Sequence, residues 1–140
     1  ILFPVMIMWF GVGPGSKIAL GALSAFFAVA LSTAAGMRQI DPILIKVGRS
    51  FRANIWQMAW KIYLPAMRVP ILNGLRLGMG TAIITVLLGE TKLSNQGLGY
   101  MIMQVYTRFD MPGLYALLII VFVLAGAVNA LIGHFARDKA

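Results

Sequence analysis

The chain has 140 residues, of which 60% are hydrophobic and only 11% charged, with a formal net charge of +8. A soluble domain carries roughly 25% charged residues, so this composition leaves too little polar surface to face water and points to a multispanning membrane protein. The basic residues flank apolar runs rather than forming a patch interleaved with aromatics, which fits membrane topology and argues against nucleic acid as a partner; the absence of cysteine excludes disulfides and thiolate metal sites.

In chain order, residues 1–10 are apolar but too short to cross a bilayer core of ~30 Å, which needs about 20 helical residues. They read as the end of a partial helix, without the basic lead or small-residue cleavage site of a signal peptide. The chain is accordingly read as the C-terminal part of something longer. Gly11 to Lys17 is a turn by composition. It fails the dinucleotide pattern, because Ser16 stands where glycine is needed, and fails the P-loop, because the order is Gly15-Ser16-Lys17. Residues 18–37 form a first span, rich in Gly, Ala, Ser and Thr and suited to close helix packing. Residues 70–89 form a second span and 114–132 a third, whose polar side chains are Tyr115 and Asn129.

Positive charge sets the orientation. The segment between the first two spans carries Arg38, Lys46, Arg49, Arg52, Lys61 and Arg68 against Asp41 alone, and the tail carries Arg137 and Lys139. The segment between the second and third spans balances Lys92 and Arg108 with Glu90 and Asp110. The basic loop and the C-terminus are therefore expected to face the cytoplasm. Arg76 follows Pro70 by six residues, a rise of only ~9 Å, from which arginine snorkels back to the interface.

The basic loop, residues 41–65, reads as two short helices. Asp41-Pro42 supplies a capping carboxylate and a proline at the first helical position, and Ile43, Leu44, Val47 and Phe51 recur at helical spacing. Asn54 is placed to cap the second helix, whose broad aromatic face holds Trp56, Ala59, Trp60 and Tyr63, with Pro65 as its stop. Periodicity alone fits two uses equally. The helices lie in the headgroups as Trp-anchored interfacial elements against anionic lipid, or they dock a cytoplasmic partner and act as a lever on both spans.

Elsewhere, Gly74, Gly78 and Ala82 form a small-residue stripe at i, i+4, i+8, a helix-packing face. Thr81 and Thr85 either bond back to their own backbone or line a polar pathway, and Glu90 at the outer end of the span either is solvated or joins that pathway. His134 has no metal partners nearby in sequence, and no paired carboxylates, nucleophile–base pair or metal cluster is apparent. No catalytic site, metal or cofactor is expected.

The ordered set of loop motifs resembles the permease subunit of a bacterial binding-protein-dependent ABC importer. That family's loop carries Glu-Ala-Ala, three residues, Gly, nine or so residues, then Ile-x-Leu-Pro. Here Ile62-Tyr63-Leu64-Pro65 fits the end, Arg49-Ser50 and Ala53-Asn54-Ile55-Trp56-Gln57 the middle, and Asn73-Gly74-Leu75-Arg76 the start of the next span, with Glu90 and Gly97-Leu98-Gly99-Tyr100 following. Trp9-Phe10-Gly11-Val12-Gly13, Ser16-Lys17 and Gly36-Met37-Arg38-Gln39-Ile40-Asp41-Pro42 resemble the nitrate, sulfonate and taurine branch. The resemblance covers nearly the whole chain. It departs at the Glu-Ala-Ala positions, which are Lys46, Val47 and Gly48, and at the motif glycine, which is Arg52. A glycine there permits a positive φ between the two helices; Arg52 makes that turn costlier or changes it.

The resemblance implies an all-α integral membrane protein, a polytopic helical bundle forming the C-terminal part of a type I importer transmembrane domain in the bacterial inner membrane. It implies contact with a cytoplasmic ATPase through Lys46, Val47, Gly48, Arg49, Ser50, Phe51, Arg52 and Ala53, closed by Ile62, Leu64 and Pro65. It implies a periplasmic or lipid-anchored solute-binding protein at the outer mouth, a second permease subunit in a homodimer, alternating access for a small anion such as a sulfonate, taurine or nitrate, and ATP hydrolysis on the partner chain. An ATP-independent channel or secondary transporter with a lipid-bound loop is the rival reading, and a scaffold without transport a third.

Overall fold

A computed structural model describes residues 1–138, so Lys139 lies outside the described residues. Every described element is helical: α1 (Leu2–Phe10), α2 (Pro14–Arg38), α3 (Pro42–Ser50), α4 (Ile55–Met58), a π-helical turn (Ala59–Tyr63), α5 (Leu64–Ala66), α6 (Arg68–Leu93), α7 (Leu98–Thr107) and α8 (Met111–Arg137). Three of them, of 25, 26 and 27 residues, are long and apolar enough to cross a membrane. At 1.5 Å per residue they run about 38–40 Å, from headgroup to headgroup.

The central pair is α2 against α6. It is antiparallel and closes through glycine on both sides. A Cβ at Gly78 would lie 3.1 Å from the Ala25 carbonyl oxygen and 3.0 Å from Val29 Cγ2, and one at Gly74 2.9 Å from Ser32 Cβ. A Cβ at Gly21 would lie 2.9 Å from Val86 Cγ2, and one at Gly36 would collide with the Pro70 ring. Lipid tails are as apolar as leucine, so no hydrophobic force holds these helices together. Close backbone approach supplies dispersion contacts instead. The Gly74, Gly78 and Ala82 stripe thus faces α2 of the same chain.

Outside that seam the helices turn their large side chains outward. Among the described residues the buried hydrophobics are Leu20 and Met67, while Phe26, Phe27, Leu31, Ile84, Ile119 and Phe122 are exposed. In water this would be an unfinished fold; in lipid it is a solvated one. The α8 helix packs more loosely, touching both α6 and α7.

Four expectations need correction. First, residues 11–17 are not all turn. Gly11 ends α1 at φ +73°, but α2 already begins at Pro14, with extended Gly13 as its cap, so Ser16 and Lys17 are helical. Proline at the first helical position lacks only an N–H that no carbonyl needs. Second, Pro65 does not stop the second loop helix. The Leu64 N–H donates to the Ala59 carbonyl oxygen five residues back, and this π-helical turn widens the helix just ahead of the proline ring. Helical bonding then continues, Met67 N–H to Tyr63 O at 2.9 Å and Ile71 N–H to Met67 O at 3.0 Å. Third, the helices that carry the spans extend beyond the residues read as apolar. The second starts at Arg68 and keeps Pro70 in its first turn, where no N–H is required, and the third starts at Met111 with the Asp110 carboxylate accepting from Gly113 N–H at 3.3 Å. Fourth, the segment between the second and third spans contains α7.

Candidate coupling loop and polar sites

The basic loop folds as a helical hairpin. The Asp41 carboxylate accepts from Ile43 N–H at 2.9 Å and so starts α3. The Asn54 side chain and the Gln57 side chain form a reciprocal capping box at the start of α4. Between them, α3 ends in a complete Schellman motif. Arg52 N–H donates to Arg49 O at 3.0 Å and Ala53 N–H to Gly48 O at 3.2 Å, with Arg52 left-handed at φ +50°. The turn that a glycine would make is therefore kept, and arginine carries the conformational cost of roughly 1–2 kcal/mol. Arg52→Gly is expected to slow hydrogen exchange at residues 48–58 of the full-length protein. Relief of the left-handed cost outweighs glycine's extra unfolded entropy, for a net gain of up to about 1 kcal/mol. Unchanged or faster exchange would mean that Arg52 makes a compensating contact.

Gly48 closes the hairpin. A Cβ there would collide with Ile62 Cδ1 and lie 3.6 Å from Met58. Gly48 and Ile62 are therefore interior to the hairpin, and Leu64 and Pro65 lie in the segment that joins it to α6. Lys46, Val47, Arg49, Ser50, Phe51 and Arg52 are exposed and Ala53 half-buried. Packing through Gly48 leaves the largest apolar groups outward, Phe51 82% exposed, Trp56 74% and Trp60 66%. Cations and aromatics are thus both exposed on the hairpin. Its second arm joins α6 through one turn residue, Met67, which is buried, donates its N–H to Tyr63 O and accepts from Ile71 N–H.

At the opposite end of α6, the Glu90 carboxylate is a brace. It accepts from Gly99 N–H at 2.9 Å, in the first turn of α7, and lies 3.8 Å from Lys17 Nζ on α2. Lys17 in turn donates to the Gln96 carbonyl oxygen at 3.0 Å. A carboxylate at a helix N-terminus meets unpaired N–H groups and the positive end of the dipole. Only the close approach of Gly97, at φ +115°, and Gly99 admits it there, since a Cβ on either would strike Glu90. Glu90 is therefore not simply solvated. Sequence reasoning missed this brace and the Lys17 partner, because the residues come from three separate elements.

Glu90→Ala is expected to destabilise the full-length protein by about 1 kcal/mol, the usual worth of a cap, and to raise exchange in α7 selectively. Glu90→Gln should lose less, because its amide oxygen still accepts from Gly99. Equal losses in thermal melts of the two variants would contradict the capping role.

The three candidate path residues are not brought together. The Thr81 hydroxyl donates to its own helix at Gly78 O, 2.9 Å, and borders a groove between α6 and α8. Neither Thr85 nor Glu90 lines that groove. Among the described residues no group of three or more His, Asp or Glu side chains is placed to hold a metal.

Compared with known proteins, residues 1–140 match the family described as binding-protein-dependent transport system inner membrane component. The chain is 34% identical over 132 residues to the taurine transport system permease protein of Escherichia coli strain K12, covering 91% of this chain and 48% of that protein. It is 38% identical over 126 residues to a Bacillus subtilis strain 168 protein named as an aliphatic sulfonates transport permease, covering 90% and 45%. It is 32% identical over 127 residues to the formylaminopyrimidine transport permease protein of Halalkalibacterium halodurans, covering 88% and 49%. The chain spans about half the length of these curated relatives.

Proposed function

This chain belongs to the binding-protein-dependent transport system inner membrane component family, an ABC importer permease of the nitrate, sulfonate and taurine branch, and from that premise we propose that its residue 41–66 hairpin couples transport to a cytoplasmic ATPase. The observation that carries the proposal is mechanical. The hairpin exposes Phe51 and Trp56, and also Lys46, Arg49 and Arg52, and its second arm is joined to α6 by backbone hydrogen bonds through Met67. A partner that grips the exposed face displaces α6 directly, and α6 carries α2 with it through the glycine seam. A loop that merely lay in headgroups would have no need of this junction.

In this reading the hairpin and the C-terminus face the cytoplasm, in keeping with the positive charge of both. Two permease subunits alternate between inward- and outward-facing states with the solute between them. ATP is hydrolysed on the partner chains, and a binding protein delivers solute near the Lys17–Glu90 brace. The solute is a small organic sulfonate such as taurine or an alkanesulfonate, the chemistry in the names of two of the relatives. The test is reconstitution of the full-length permease with its cognate ATPase and binding protein. Taurine or an alkanesulfonate is expected to stimulate ATP hydrolysis and accumulate in the vesicles. Accumulation that needs no ATP would contradict the coupling role.

A further inference from the structure

At the C-terminal end of α8 a basic cavity of about 620 Å³ opens between α6 and α8, lined by Asn73, Arg76, Gly133, His134 and Arg137. The Arg76 guanidinium lies against Gly133, where a Cβ would collide with it. Arg76 and Arg137 form no ion pair among the described residues, whereas His134 Nε2 sits 3.5 Å from an Asp138 carboxylate oxygen. The same Arg76 also lines the mouth of a second groove, about 750 Å³, that runs on along α6 and α8 past Leu77, Ile84, Val121 and Phe122. A cationic pocket therefore continues, through one shared arginine, into a long apolar slot.

We propose that this composite site holds an anionic phospholipid, its phosphate between Arg76 and Arg137 and one acyl chain along the α6–α8 groove. Two observations select this occupant. A free anion would be satisfied by the basic cavity and would have no use for the slot. An apolar helix, from a second copy or elsewhere, would fill the slot but leave the arginines without an anion. Basic pockets between transmembrane helices at the positive face of a membrane take phosphate-bearing headgroups, and an arginine about two turns inside its helix reaches such a headgroup by snorkelling. The lipid would wedge α8 against α6, where direct packing is looser than in the α2–α6 seam. Only its placement in the cytoplasmic leaflet rests on the orientation proposed above; the site itself does not.

The experiment uses full-length permease purified in detergent and titrated with a fluorescent phosphatidylglycerol, a matching phosphatidylcholine and inorganic phosphate. Phosphatidylglycerol is expected to bind more tightly than phosphatidylcholine. Arg76→Gln combined with Arg137→Gln is expected to weaken phosphatidylglycerol on the order of 30-fold, from the usual worth of each arginine beside anionic lipid, and to leave phosphatidylcholine unchanged. Gly126→Leu, at a groove position with nothing within 4 Å, should weaken both lipids by filling the slot. Phosphate competing as well as the lipid would assign the cavity to a free anion. Equal binding of the two lipids, an inert double variant, or a cysteine at Gly126 that crosslinks to another protein helix would each overturn the proposal. None of these readouts depends on ATP, so the lipid site and the coupling role fail separately.

Discussion

Full-length permease carrying Gly48→Leu is expected to reach the membrane and assemble, yet to lose solute-stimulated ATP hydrolysis. The first arm, α3, has nine residues and is too short to hold a helix alone, since isolated helices below about 12–15 residues are marginal in water. It persists because it packs on the second arm, which α6 anchors, and the contact runs through Gly48 against Ile62 and Met58. A methyl group there meets the flexible end of Ile62, so Gly48→Ala should be tolerated. A leucine has to force the arms apart, and overpacking costs roughly 1–3 kcal/mol. In a two-helix element that amount is enough to empty the folded state, and one to two kcal/mol alone changes the population roughly 5- to 30-fold. Coupled ATP hydrolysis in proteoliposomes should fall by a comparable factor, while the permease still copurifies in one detergent peak. Full coupling by the Leu variant would show that the hairpin geometry is not what the ATPase reads.

Gly78→Leu should act at an earlier step and with a larger effect. A Cβ at Gly78 already approaches the Ala25 backbone carbonyl at 3.1 Å. Backbone cannot rotate away as a side chain can, so leucine has to push α2 off α6 along their length. The loss is of close contacts in lipid, where nothing hydrophobic restores them. Greatly reduced membrane yield and an aggregated detergent peak are expected. Gly80→Leu is the folding control, two residues along the same helix and on the α6–α8 groove, where a Cβ meets nothing within 4 Å; it should reach the membrane at parental yield and run as one detergent peak, whatever its effect on lipid in the groove. If the Gly78 and Gly80 variants behave alike, the α2–α6 seam is not the structural spine.

What the sequence revealed was set by how local the controlling physics is. Asp41-Pro42 and Asn54 with Gln57 announce helix starts because a cap involves residues within three positions of one another. The spans are legible because lipid demands long apolar runs. Pro65 misled because the rule that proline stops a helix assumes α-helical spacing, and the π turn at Ala59–Tyr63 relaxes it. The α7 helix was legible in principle. Leu98, Ile102 and Val105 recur at i, i+4 and i+7 and are half-buried, but the window is short and sits among glycines. Glu90 was not legible, since Lys17 and Gly99 reach it only once three helices are assembled. Arg52 was visible as a departure from the family motif, but whether the turn would survive it depended on two backbone hydrogen bonds that no residue type encodes.

The most direct measurement is crosslinking in membranes, with cysteines placed singly at Lys46, Ser50 and Phe51 in the full-length permease coexpressed with its ATPase. The coupling account predicts crosslinks from these exposed positions to the ATPase, changing in yield when ATP is trapped, and none from a cysteine at Gly48, which the hairpin buries. Cysteines at Lys46, Ser50 and Phe51 that report only lipid, with the ATPase recovered uncrosslinked, would contradict it and leave the hairpin as a headgroup anchor.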